Sequence, residues 1–429
     1  AATVAIGALV LSGCAAPQSE IVEGSSLSVA WNQPFYSYNN LTSFGNATAN
    51  ANITYSTNSA FNFYDDTPKL IQDTSFGTYE KVSDDPLVVK YTIADGVKWS
   101  DGTAVDAADL LVTWAAQSGV YNDAETVVTD TGVTAEADEN GSAVVVGPDG
   151  DITSVDEAGY AAAFDPETGE LLDGFSYKEA TGVSFDSSSE SLALITEFPE
   201  ISEDGLSLTA TWDSFYVDFA TAGVFPGVPA HVVAQNALGI DDPTEAKAAL
   251  IEALQGTTAD VKAISESWNR DFDATALPDN PGVYAGYGPY NLTSFDDDGT
   301  MVFEAREDYT WGPQPKVQTI VYSIIGDPTA AVQAMANEEV DVIQPQATAD
   351  ILTQLEGISD RGIEVLQASG STYEHIDLAV ANGGPFDPAT YGGDADQAKA
   401  VRRCAGRGPF GRIEAAAGEV PLLRGHAGI

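Results

Sequence analysis

Residues 91–119 read YTIADGVKWSDGTAVDAADLLVTWAAQSG, and their order is strand, tight turn, helix. Just upstream the extended run begins: Val88, Lys90 and Thr92 fall on one face, and Val89, Tyr91 and Ile93 on the other. Asp101-Gly102 is a turn dipeptide, because glycine enters positive φ without a Cβ penalty. Asp106 is placed to cap the following helix, with Asp109 three residues on in a capping-box position. Ala107, Leu110, Leu111 and Trp114 recur at helical spacing and predict one apolar face. Gly119 is the expected stop.

The 429 residues around this unit give room for two or three domains with sizeable cores. An apolar content of 44% argues against wholesale disorder. Seventeen basic residues stand against 65 acidic ones, a net charge of −48. That balance excludes nucleic acid as a partner, since its binding needs a basic footprint. The acidic surface favours solubility and repels anionic headgroups. Three His and two Cys form no zinc-like spacing, so neither a metal nor a cofactor is expected. Cys14 and Cys404 lie at opposite ends and are not expected to pair.

The string Gly96-Val97-Lys98-Trp99-Ser100-Asp101-Gly102-Thr103, followed by Asp106-Ala107-Ala108-Asp109-Leu110, resembles the signature segment of family 5 solute-binding proteins of ABC importers. This family includes peptide- and nickel-type binding proteins. Further stretches resemble it in the same order: Val228-Pro229-Ala230-His231-Val232, the Gly286-Tyr287-Gly288-Pro289-Tyr290 turn, and a hairpin around Asp296-Asp297-Asp298-Gly299. Tyr309-Thr310-Trp311-Gly312 and a strand from Ile320 to Ile325 follow. A helix between Asp327 and Val342 comes next, where Asn337 and Glu338 stand in place of the family's usual glycine. The resemblance implies a mixed α/β, two-lobed periplasmic-binding-protein-like fold of the large (cluster C) type. It also implies that most of a third domain is missing.

The expected organisation runs as follows. Residues 1–14 are a lipoprotein signal peptide without an initiating Met, and Leu11-Ser12-Gly13-Cys14 resembles a lipobox with Cys14 as the lipidated residue. Residues 15–26 form a tether, and two acyl chains on Cys14 would anchor it stably. Lobe I takes 27–53 and 185–370, opening with a strand from Leu27 to Trp31. Lobe II takes 54–184, including acidic hairpins between 120 and 182. No stretch there matches a calcium-binding loop. Val183 to Thr196 reads as a returning strand, Pro243 to Gln255 as a helix, and Ser371 to Leu378 as a strand. Residues 371–401 begin domain III. Residues 402–429 carry five Arg (402, 403, 407, 412 and 424) and two Glu. This break in composition points to a shifted reading frame or a basic tail.

Asn32 to Asn58 is rich in aromatic and amide side chains, which a solute cleft needs. Asn32, Tyr36, Tyr38, Asn58 and Tyr121 are the candidate ligand contacts. The implied function is capture of a peptide or similar small solute by a monomer that is lipid-anchored at the outer face of the cell membrane and delivers it to ABC permease subunits. A secreted hydrolase is the alternative, but no G-x-S-x-G, H-E-x-x-H or Cys-His pattern occurs.

Overall fold

A computed structural model describes residues 21–64, 69–123, 182–256, 258–366 and 383–405, with short strands at 144–146, 152–153 and 176–178. Cys14, the strand expected at 371–378 and the tail from 406 on lie outside the described residues. The chain divides into two compact units that meet between Ile363 and Glu364.

The 91–119 unit forms as its residues dictate. Strand β5 (Leu87–Ile93) buries Leu87, Val89, Tyr91 and Ile93 and turns Lys90 outward. Gly102 sits at φ 92, as the turn requires. Helix α2 (Ala107–Ser118) carries the full capping box of Asp106 and Asp109, and left-handed Gly119 ends it. The amphipathic expectation needs correcting, because every residue of α2 is buried. It packs against strand β10 (Ser207–Trp212), the 3₁₀ turn at 192–194, and helices α3 (Ala230–Leu238) and α4 (Pro243–Gln255). A helix covered on all sides needs small residues where neighbours press closest, and Ala107, Ala108, Ala115 and Ala116 supply them.

Two sheets organise the first unit. In one, antiparallel β4 (Gly77–Asp84), β5, β10 and β9 (Glu200–Ile201) are neighbours in that order. This sheet joins strands from both sides of residue 184, so the expected division into 54–184 and 185–370 cuts through it. The other sheet has the order β11-β12-β13-β1-β14. Its strands are β1 (Val22–Trp31), β11 (Tyr290–Phe295), β12 (Met301–Ala305), β13 (Val317–Ile324) and β14 (Val342–Ile343). β13 and β14 pair with β1 in parallel, and the β11–β12–β13 arm is antiparallel. β1 begins at Val22 rather than Leu27, so the expected tether is in part strand. The Val22 amide donates to the Lys316 carbonyl, and the Gly24 amide to Gln318 Oε1.

Residues 183–196 do not form a strand. Their backbone is taken by side chains instead: the Val183 amide donates to Asp123 Oδ1, Phe185 to Asn122 Oδ1 and Asp186 to Asn269 Oδ1. Val183, Phe185, Leu192 and Ile195 still enter the core, which is why the apolar pattern misleads. In the acidic segment, β6 (Val144–Val146) pairs antiparallel with β7 (Ile152–Thr153) and β8 (Ser176–Lys178). In the second unit, helix α8 (Ala395–Ala405) runs past Arg402 and packs on the 3₁₀ turn at 388–391.

Helix α6 (Pro328–Ala336) is capped by Asp327 and connects β13 to β14. The turn after it places Glu338 at φ 62, the only non-glycine residue at positive φ among the described residues. This is the position where a glycine was expected. A left-handed L-residue costs about 1–2 kcal/mol, so Glu338→Gly should raise stability by about 1 kcal/mol in urea unfolding. Asp109 is fully buried and pairs with buried Lys247 at 2.7 Å. Asp109→Ala leaves Lys247 only Asp106 and the Ala104 carbonyl and removes the acceptor of two backbone amides, so it should cost about 3 kcal/mol in the same assay.

Candidate functional site

In open α/β sheets ligands bind beyond the carboxyl ends of parallel strands, where neighbouring strands lead off in different directions. β1 and β13 meet this condition. Trp31 is in register with Ile324 at their ends. From there β1 leads towards helix α1 (Thr48–Thr57), while β13 leads to α6 and on to β14 on the far side of β1.

A groove lies at this point. Trp31, Ser323 and Ile324 form its strand-end wall, and Ala49, Asn52 and Ile53 of α1 face them. Gln33 and Phe35 come from the loop after β1, and Gly299 and Met301 from the β11–β12 hairpin. It is partly open to solvent and has a volume of about 20 Å³, room for one water-sized group. No Asp, Glu, Lys, Arg or His lines it. The indole N–H of Trp31 is buried and has no hydrogen-bond partner among the described residues.

The groove walls are positioned from outside. α1 has no side-chain cap and forms through burial of Ala49, Asn50, Ile53 and Thr57 on one side. Asn50 is fully buried: its Oδ1 accepts from the amides of Tyr36 and Ser37, and its Nδ2 donates to the Gly45 carbonyl. The carboxyl end of α1 meets the Gly286-Tyr287-Gly288 turn, where the Gly288 amide donates to the Thr57 carbonyl at 2.6 Å. A Cβ at Gly288 would lie 2.7 Å from the Asn58 nitrogen, so only glycine permits this approach. On β13, Tyr322 exchanges a 3.0 Å hydroxyl hydrogen bond with Ser56 of α1.

The five candidate contacts lie in different settings. Asn32 is exposed directly after Trp31. Tyr36 is half-buried with its ring edge-on to Phe44. Tyr38 is buried between Phe35 and Tyr284, and burial first, then the Tyr284 hydroxyl, raises its pKa far above the usual tyrosine range. Asn58 is half-buried beside Gly288, and its Oδ1 has no partner among the described residues. Tyr121 stands apart at the end of α2: its ring packs on Trp114 and its hydroxyl donates to the Leu254 carbonyl at 2.6 Å. Burial pushes that hydroxyl up to about 12. The groove residues Trp31, Gln33, Asn52, Ser323 and Ile324 escape sequence reasoning. Only the pairing of β1 with β13 brings them together, and no local pattern announces that pairing.

A second cluster surrounds the start of α2. Lys247 Nζ donates to Asp109 Oδ2 and to the Ala104 carbonyl, both at 2.7 Å, and lies 3.1 Å from Asp106 Oδ1. Burial alone would lower the Lys247 pKa, but the two carboxylates outweigh it and raise it. Burial and the Asp109 charge push Asp106 up. Nearby, Asp101 Oδ2 meets buried His231 Nε2 at 2.7 Å. Burial opposes the Asp101 charge, but the His231 bond and the Thr103 amide prevail and bring its pKa down to about 2. These ion pairs hold the scaffold, and His231 Nδ1 is buried without a partner among the described residues. Among the described residues no group of three His, Cys, Asp or Glu side chains could hold a metal ion. No helix among them is long and apolar enough to cross a membrane.

Comparison with known proteins agrees with this architecture. Residues 232–390 match the model of bacterial extracellular solute-binding proteins, family 5, middle region. Two curated relatives are uncharacterized lipoproteins. The protein from Mycobacterium tuberculosis is 34% identical over 110 residues, which cover 26% of this chain and 18% of that protein. The one from Mycobacterium leprae is 40% identical over 84 residues, covering 20% and 15%. The chain thus spans less than a fifth of the curated relatives it matches. Among solved structures, the periplasmic EDTA-binding protein EppA superposes with a TM-score of 0.53 at 20% identity. The match covers 81% of this chain and 48% of EppA. The chain therefore has the mixed α/β fold seen in that periplasmic binding protein.

The buried amide of Asn50 orders the loop beside the groove through three hydrogen bonds. Asn50→Ala should therefore lower stability by about 2–3 kcal/mol, because the Tyr36, Ser37 and Gly45 backbone groups lose their partner. Thermal denaturation checks this.

Proposed function

We propose that this chain is the solute-capturing component of an ABC importer. It binds a peptide or similar small solute, closes on it between two lobes, and presents it to permease subunits. The groove at the carboxyl ends of β1 and β13 is the observation that carries this reading. The family match supports a binding protein rather than an enzyme. The lipoprotein relatives support a place at the outer membrane face or in the periplasm, with Cys14 as the anchoring residue after signal-peptide removal.

In this reading closure is a hinge motion. Affinity comes from contacts that exist only in the closed state. Asn32, exposed next to the groove, is the foremost contact. Tyr36, Tyr38 and Asn58 stand outside the groove lining and would join the contacts only on closure. Tyr121 contributes only through its ring, because its hydroxyl is engaged by Leu254.

A thermal-shift screen of the full chain against short peptides, sugars and metal chelates tests the proposal. A ligand at 100 times its Kd should stabilise the fold by about 2.7 kcal/mol. Peptides should raise Tm, and metal chelates should not. Absence of any shift at millimolar peptide would overturn the reading.

A further inference from the structure

A second, larger depression opens where the start of α2 meets α4. It is partly open to solvent and has a volume of about 240 Å³. Ala107 and Ala108 of α2, Ile201 of β9, and Ala248 and Ile251 of α4 line it with hydrocarbon. Asp106 and Lys247 also line it. The Asp106 side chain keeps 29% of its surface exposed, while Lys247 keeps only 6%. The accessible charge is therefore the carboxylate. We infer that this depression binds a small organic cation, a protonated amine on a short apolar body, with the Asp106 carboxylate as its counter-charge. The site shares no residue with the groove at the ends of β1 and β13 and does not rest on the reading of that groove.

Three observations carry it. The first is charge balance. Asp106 and Asp109 share one ammonium, that of Lys247, so the cluster keeps one uncompensated negative charge. Burial and the Asp109 charge hold the Asp106 pKa above its ordinary value in spite of Lys247. A second cation would supply the missing balance. The second observation is where the hydrogen bonds go. Asp106 Oδ1 accepts from the Ala108 amide and faces Lys247, while Oδ2 accepts no hydrogen bond among the described residues. The donors beside it are taken: Lys247 Nζ by Asp109, Asp106 and the Ala104 carbonyl, and the Ala107 amide by the Gly205 carbonyl. An anion would meet the Asp106 charge and none of these donors free. The third is size. A cavity of about 150 Å³ seats a benzene-sized molecule, so this one has room for an ammonium and the hydrocarbon attached to it, and its alanine and isoleucine walls suit that hydrocarbon.

The test titrates the full chain with n-butylammonium, n-butanol and butyrate, which share a short apolar body and differ in the head group. Binding is read by ligand-observed NMR at physiological ionic strength, so that attraction to the acidic surface at large is screened. The ammonium should bind about tenfold more tightly than either other probe, the value of roughly one charge-assisted hydrogen bond. Asp106→Asn keeps a capping oxygen for α2 and removes the charge, and should cost that same factor. Ala248→Phe fills the depression from an exposed position on α4 and leaves every charge in place; it should weaken the ammonium to a similar degree. Tm reports that each variant is folded, and Ala248→Phe decides alone if Asp106→Asn unfolds. Equal binding of the three probes would overturn the inference. So would an ammonium affinity unchanged in either folded variant, because the cation would then be spread over the acidic surface. Neither result touches the solute reading of the groove, which the peptide screen decides separately.

Discussion

The carboxylate of Asp109 is the constraint on which the rest depends. It lies fully inside the protein and so must be paired. Its two oxygens accept from the Asp106 amide at 2.9 Å, the Ala230 amide at 2.9 Å and Lys247 Nζ at 2.7 Å. The first bond closes the cap of α2, the second fixes the start of α3, and the third pins α4. One side chain thus sets three helices around the sheet that carries β5. Replacing it with an apolar group would leave two backbone amides without their acceptor and Lys247 with only Asp106 and the Ala104 carbonyl.

Arg306 extends this constraint towards the groove. Its guanidinium is buried and donates to the Gly286 and Gly288 carbonyls at 3.0 and 3.3 Å, and to the Trp99 carbonyl at 3.3 Å. Asp308 holds it at 2.9 Å and Trp311 lies under it, 5.2 Å from ring centroid to guanidinium carbon. Arg306 therefore ties the Lys98-Trp99 run to the Gly286–Gly288 turn, and that turn abuts the end of α1. The Lys98-Trp99 run lies outside the groove lining. Through Arg306 and α1 it still sets where one wall of the groove stands.

This division explains how much was legible. The β5–turn–α2 unit, α4, the β11–β12 hairpin and β13 follow from local signals: alternation, Asp caps and Asp-Gly turns. The 183–196 segment fails because Asn122, Asp123 and Asn269, distant in sequence, take over its backbone. α2 looks amphipathic because eight of its twelve residues are small or polar. Burial on all sides depends on α3, α4 and β10, which no window around α2 contains. Lys247 reads as a surface cation on a helix, and only the fold turns it into the partner of Asp109. Of the groove, the Asn32 to Asn58 segment contributes Gln33, Phe35, Ala49, Asn52 and Ile53, but none of the five expected contacts lines it. The lining is not legible in the sequence, because Trp31, Asn52 and Ser323 meet only when β1 pairs with β13.

The extreme charge and the neutral groove are compatible for a physical reason. At physiological ionic strength a surface charge is screened beyond about 8 Å. The acidic surface therefore governs solubility and the approach of solutes rather than discrimination inside the groove. Discrimination falls to groups within contact distance, and here those are amides, a hydroxyl, an indole and hydrocarbon. Directional hydrogen bonds and shape are what such a wall can measure. A protein whose surface is dominated by carboxylates thereby keeps a groove whose lining carries no charge. Under the proposed function, selectivity there should hold as ionic strength changes, while the rate at which charged solutes arrive should not.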